Sequence, residues 1–200
     1  MSKQVYISAD YAWDGDRDVV EVLQKWGKDS IHSVDFIDMS QVNSGSVASD
    51  PDCRPCDLKG EFNRQINASS AVIFVVGDNT ASRTAGSSCT RNGKSQYESY
   101  CTPYKQNTNG TKLCKVSTTY DATSENVGTI NTYSYLRHEF EQAKKAKKKI
   151  IIVYNSMRCE SDWFPSYMSG YESIAHPFWK RNVYGEKVGD YDFIKRELGF

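Results

Sequence analysis

Residues 71–77 read AVIFVVG, apolar from end to end and closed by a glycine. A strand buried on both faces has this composition, and a parallel sheet buries both faces of its central strands. Three other stretches fit around it. Residues 5–9, VYISA, read as a second buried strand. Residues 34–39, VDFIDM, read as a third by their β-branched and aromatic content. IIIVYN, at the end of residues 133–155 (YSYLRHEFEQAKKAKKKIIIVYN), reads as a fourth.

Helical periodicity falls between these strands. In DGDRDVVEVLQKWG, Val19, Val20, Leu23 and Trp26 share one face, acids crowd the start and Gly27 can close the helix. A polar loop, SQVNSGSVASDPDCRPC, follows the 34–39 strand. Asp57 is then expected to cap a helix in which Leu58, Phe62 and Ile66 recur at every fourth position. YDFIKREL near the end reads as a short terminal helix. The order β-α-β-α-β-(insert)-α-β predicts an α/β domain, a parallel sheet with helices on both faces. For strands of this length the expected order is flavodoxin-like, 2-1-3-4-5. Right-handed crossovers then bring the ends of the first and third strands together at the switch point. Ligands bind such sheets at the carboxyl ends of the strands, here Ser8-Ala9-Asp10-Tyr11-Ala12-Trp13 and Gly77-Asp78-Asn79-Thr80.

The expectation is one domain over residues 1–200, with an insertion at approximately 84–132. That polar segment is rich in Ser, Thr, Asn, Gly and Tyr. Loops of such length are uncommon in compact domains, and its tyrosines argue against complete disorder. A small β-hairpin fits, with Asn92-Gly93 and Asn109-Gly110 as turns. It reads either as a lid over the ligand site or as a surface insertion.

The 25 basic and 25 acidic residues cancel. That balance argues against a general nucleic-acid or membrane-surface binder. No apolar run reaches the length of a membrane span, and MSKQVYISAD has no apolar signal region. The expected location is cytoplasmic. Of six cysteines, Cys53 and Cys56 have C-x-x-C spacing. No second such pair accompanies them, so free thiols are expected rather than zinc, and no metal site is assigned. There is no G-x-G-x-x-G fingerprint.

On a helical wheel at about 100° per residue, Tyr133, Leu136, Phe140 and Ala143 make a narrow apolar stripe, extended by Tyr135 and Ala146. Glu139 falls inside that arc. Arg137, His138 and Glu141 fall on the opposite face. An ionised carboxylate on a core-facing arc is costly unless it is paired, hydrogen-bonded or opens into a cavity. Glu139 is therefore either a salt-bridged acid at the stripe's edge or a functional one. The run KKAKKK ends the helix, where cations complement its dipole.

Four stretches together resemble a known family: VYISADY, VDFIDMS, AVIFVVGDNTASR with its Gly-x-x-Thr exit, and YLRHEFEQAKKAKKKIIIVYN. The chain resembles TIR-like domains, in particular the TIR proteins of bacterial Thoeris antiphage defence. The resemblance covers most of residues 1–155 apart from the insert. It implies an enzyme that cleaves the bond between nicotinamide and ribose in NAD, with NAD as substrate and no further cofactor. By position it makes Glu139 the catalytic acid. Tyr135 stands where the family usually has tryptophan. The resemblance further implies a cyclic ADP-ribose-type or ADP-ribose-conjugate signal, read by a separate effector protein, and is compatible with a homo-oligomer.

The chemistry agrees with the residues. Loss of nicotinamide leaves an oxocarbenium-like ribosyl centre, and a carboxylate near the ribose can stabilise the charge that develops. Ser8, Asp10, Tyr11, Trp13, Asp78, Arg83 and Tyr135 are the candidate substrate contacts. Asp10 and Asp78 could meet the ribose, or serve as turn and capping residues. Tyr11 and Trp13 could line a base pocket or simply pack. Arg83 could grip a pyrophosphate through paired hydrogen bonds or face solvent. His138, on the polar face, is discounted as a base. Two rival readings stay open, a non-catalytic TIR-like interaction module and a nucleoside deoxyribosyltransferase-like enzyme.

Overall fold

The computed structural model describes residues 3–10, 14–28, 34–38, 54–83, 105–106, 112–113 and 134–200. The elements in chain order are β1 (Lys3–Ser8), α1 (Asp14–Gly27), β2 (Val34–Ile37), α2 (Arg54–Ala68), β3 (Ala71–Val76), β4 (Lys105–Gln106) and β5 (Lys112–Leu113). They continue with α3 (Tyr135–Lys145), β6 (Lys149–Tyr154), β7 (Ala175–Pro177), β8 (Trp179–Arg181), β9 (Lys187–Gly189) and α4 (Tyr191–Leu198). Chain contacts divide the molecule into two compact units. One comprises Met1–Gln41, Gln65–Arg83 and Phe140–Phe200; the other comprises Val42–Arg64 and Thr84–Glu139.

The first unit holds a five-stranded sheet in the order β2-β1-β3-β6-β7, with every neighbouring pair parallel. Counted along this sheet alone, that is the flavodoxin-like 2-1-3-4-5 order expected from the sequence. Register is set by Val5 opposite Ala71 and Ala71 opposite Lys149. β3 is buried at all six positions, which is why its sequence is apolar without alternation. The fifth strand, β7, carries no apolar run to announce it. It spans Ala-His-Pro at the sheet edge, where Pro177 removes a donor that a central strand would need.

On one face of this sheet, Val5, Ile7, Ile73, Val75, Ile151 and Val153 form a continuous core with Val19, Val20 and Leu23 of α1 and Phe193, Ile194 and Leu198 of α4. α1 begins and ends where its caps indicated, and its expected apolar face is the buried one. α4 is capped at its start by Asp190, whose side chain accepts from Phe193 N. It stops at Gly199, whose φ of 76° suits a residue without Cβ. On the other face Phe74 meets Phe140 edge-on at 5.4 Å between centroids, and Phe140 meets Tyr171 at 5.1 Å.

Two local expectations are corrected. Asp57 does not cap α2, because the helix already runs from Arg54. Pro55 explains the earlier start, since a proline in the first turn gives up only an N–H that would lack a helical partner anyway. Cys56 accordingly lies in the helix and not in a preceding loop; Cys53 is outside the described residues. Within the insert, β4 and β5 pair antiparallel, Lys105 opposite Leu113 and Gln106 opposite Lys112. This pair brackets Asn109-Gly110, one of the two proposed turns; Asn92-Gly93 lies outside the described residues. No helix among the described residues is long and apolar enough to cross a membrane.

Two substitutions test the packing. Phe140 is fully buried, so Phe140→Ala should cost about 3–5 kcal/mol in urea denaturation. Lys147 follows α3 in the left-handed region, at φ 52°. Lys147→Gly relieves that strain and should raise stability by about 1 kcal/mol in the same assay.

Candidate functional site at the strand ends

The carboxyl ends of β1, β3 and β6 come together in the first unit. β1 delivers Ser8, which is fully buried, and Asp10. β3 delivers Gly77 and the turn after it. In that turn Thr80 is buried; its N–H donates to Gly77 O at 3.1 Å and its Oγ1 accepts from Gly77 N at 2.8 Å. The Gly-x-x-Thr exit is thus a closed, self-bonded turn. β6 delivers Asn155, whose backbone N–H donates to Val76 O at 2.9 Å.

These ends are joined by a residue that the sequence reading did not single out. Asp16, in the first turn of α1, is 1 % exposed. Its Oδ1 accepts from Asn155 Nδ2 at 2.7 Å and its Oδ2 accepts from Asp10 N at 3.2 Å. The Asn155 amide lies in a slot walled by two glycines. A Cβ at Gly15 would stand 2.9 Å from Asn155 Nδ2. A Cβ at Gly77 would stand 2.7 Å from the same nitrogen and 2.8 Å from Asp16 Oδ1. A Cβ at either position would force the Asn155 amide to shift, so the absence of a side chain there lets it approach closely.

Burial pushes the Asp16 carboxyl up to about 7, and the like charges of Asp10 and Asp78 push the same way. The bonds from Asn155 and from the Asp10 N–H oppose that shift without cancelling it. In the sequence Asp16 is one of several acids at a helix start, which the helix dipole explains sufficiently. Its distinguishing partners, Gly15, Gly77 and Asn155, are far apart in the chain. Only the paired glycines, read together with a polar residue ending an apolar strand, could have pointed to it.

The other candidate residues are distributed as follows. Arg83 Nε meets Asp10 Oδ2 at 2.8 Å, with the Arg83 side chain 47 % exposed. The two are therefore each other's partners, and Arg83 is not an isolated solvent-facing charge. Asp78 is exposed, close enough to Asp16 to act on its charge. Tyr11 and Trp13 lie outside the described residues.

The second unit carries Glu139 and Tyr135. Glu139 is 2 % exposed, so the acid on the apolar arc of α3 is indeed removed from water. Tyr135 is half-buried and meets Phe62 edge-on, with centroids 5.5 Å apart and rings 84° apart.

His138 corrects the wheel. It does not lie on a solvent face: it is 7 % exposed, and its Nε2 is 2.8 Å from Asn63 Oδ1. In the first unit Gln142, also 7 % exposed, donates to Asn67 Oδ1 at 2.8 Å. Both pairs bridge 75 positions in the chain, the pattern of two parallel helices in contact. α3 therefore buries a polar ridge against α2 in addition to its apolar stripe. A single-face wheel assigns such a ridge to water.

Neither a protein-family model nor a curated protein matches the chain. Among solved structures the chain is similar to one described as a crystal structure of a prokaryotic SEFIR domain. The identity is 12 % and the TM-score 0.46, over 98 % of this chain and 94 % of that one.

The elevated Asp16 carboxyl has a defined effect on stability. Its ordinary value is 3.8 and its folded value about 7, so between these the folded state binds more protons than the unfolded state. The stabilisation is complete below the unfolded value and is lost as pH rises through the folded one. Asp16→Asn should remove this slope. Relative to wild type, the variant should gain on the order of 3 kcal/mol between pH 4 and pH 8, measured by urea denaturation at each pH.

Proposed function

We propose that the chain is a TIR-like enzyme that cleaves NAD at the nicotinamide–ribose bond, with Glu139 as the catalytic carboxylate. The observation that most supports this reading is the burial of Glu139, at 2 % exposure on an otherwise apolar arc. Taking a carboxylate out of water costs free energy that a surface interaction module has no need to incur, and such costs concentrate at functional sites. The resemblance of YLRHEFEQAKKAKKKIIIVYN to the family's glutamate-bearing helix supports the same assignment.

In the proposed reaction the C1′–N bond breaks and its electron pair leaves with nicotinamide, which becomes neutral. The ribosyl centre takes on oxocarbenium character. Glu139 accepts a hydrogen bond from a ribose hydroxyl and stabilises that charge. Water as acceptor gives ADP-ribose and a proton. A nucleophile on the same molecule gives a cyclic isomer, and a second small molecule gives a conjugate. The proposal extends to a signal role in antiphage defence, the cyclic or conjugated product being read by a separate effector protein. Asp10 and Arg83 are proposed to contact the nucleotide's ribose and phosphate groups.

Nicotinamide release from NAD, followed by chromatography, tests the assignment. Wild type should release nicotinamide, and Glu139→Gln should reduce kcat by at least about 100-fold while leaving the circular-dichroism spectrum unchanged. Equal release by the variant would remove Glu139 from the mechanism. Absence of release by wild type, both dilute and concentrated and with extract of infected cells as activator, would favour the non-catalytic module. Mass spectrometry of the product separates hydrolysis, cyclisation and conjugation.

A further inference from the structure

We propose that Asp16 and Asn155 are positioning residues, which hold the Asp10–Arg83 pair in the arrangement that nucleotide binding requires. The inference deepens the reading of the chain as an NAD-cleaving enzyme and rests on it for the identity of the ligand.

Asp16 is 1 % exposed and both its carboxylate oxygens are engaged, one by Asn155 Nδ2 and one by Asp10 N. It is not built to touch a ligand. What it does touch is the backbone of Asp10, whose side chain carries Arg83. Holding the Asp10 N–H restrains the backbone from which its carboxylate reaches the half-exposed Arg83 side chain.

Asn155 supplies the other end of the tie. Its amide occupies the space that a Cβ at Gly77 or Gly15 would take, and its backbone N–H is bonded to Val76 O. The Asp16 carboxylate is therefore tied to two inner strands of the sheet, β3 and β6. A guanidinium–carboxylate pair on an otherwise free loop would lose this tie, and small displacements at a binding site cost affinity steeply.

The tie is also charged. The titratable groups facing Asp16 among the described residues are Asp10 from the β1 exit and Asp78 from the β3 exit, with Arg83 beyond Asp10. Arg83 pairs with Asp10, while Asp10 and Asp78 both raise the Asp16 carboxyl by their like charge. An anionic phosphate arriving at Arg83 adds to the negative field on Asp16, so binding draws a proton onto it. Ligand affinity should therefore fall as pH rises through neutrality.

The test exchanges the two partners. Asn155→Asp places two carboxylates against each other. Adding Asp16→Asn restores one amide and one carboxylate in reversed order, and the carbonyl oxygen of the new amide can still accept from Asp10 N. KM and kcat for nicotinamide release from NAD are measured from pH 5.5 to 8.5, alongside the Arg83 Nε–H resonance in ¹⁵N-labelled protein. Asn155→Asp should raise KM about tenfold with little change in kcat and displace the Arg83 resonance; the double variant should recover most of both. Asp16→Asn alone should keep the resonance and flatten the rise of KM with pH.

A double variant that restores neither KM nor the resonance would overturn the positioning role, as would loss in kcat with KM unchanged. If wild type releases no nicotinamide, the resonance still decides the matter. Displacement by Asn155→Asp and return in the double variant would uphold the tie and remove only NAD cleavage.

Discussion

The hydrogen bond from Asn155 Nδ2 to Asp16 Oδ1, 2.7 Å long, joins the end of β6 to the start of α1 across the glycine that ends β3. Much of the strand-end region depends on it. A Cβ at Gly15 or Gly77 would meet this amide. The Asp10 backbone is held by the other oxygen of the same carboxylate. The closed Gly77–Thr80 turn then leads the chain from the sheet towards Arg83, which returns to Asp10. A right-handed α/β sheet creates a crevice at its switch point by topology alone. In this chain a buried polar contact ties together the strand ends at that point.

The contact carries an energetic cost. A carboxyl with two hydrogen bonds remains near neutrality because burial and two like charges outweigh those bonds. Apolar residues would make the same junction with less penalty, so stability alone does not account for it. The arrangement suits a site whose charge must respond to an anionic ligand. The Glu139 carboxylate in the second unit is a parallel case, an acid removed from water on an apolar arc. Both carboxylates depart from what packing would choose, and such departures concentrate where function is carried.

The legibility of the chain follows from the range of the forces involved. β3 could be read from AVIFVVG because burial on both faces leaves a local apolar run, and α1 could be read because its caps and periodicity lie in fourteen consecutive residues. The parallel sheet follows from the alternation of strands and helices, and the 2-1-3-4-5 order is the flavodoxin-like choice for strands of this length. β7 could not be read, because a three-residue edge strand containing proline carries no local signature. The burial of His138, on the polar face of the wheel, has no local sign because its partner, Asn63, lies on another helix 75 positions away. Asp16 was passed over for the same reason: its partner Asn155 is 139 positions distant. Glu139 was legible because its anomaly is visible within a single helix. Polar contacts between distant elements leave no periodic trace, so the site was only partly visible where the fold was plain.

A buried carboxyl tied to Asn155 sets the charge and geometry of the strand ends. The most direct test is the pH titration of the Asp16 side-chain carboxyl carbon by ¹³C NMR. The expected midpoint is near 7, far above the ordinary 3.8, and it should move upward when ADP-ribose is added. A midpoint close to that ordinary value, unmoved by the nucleotide, would contradict this role for Asp16.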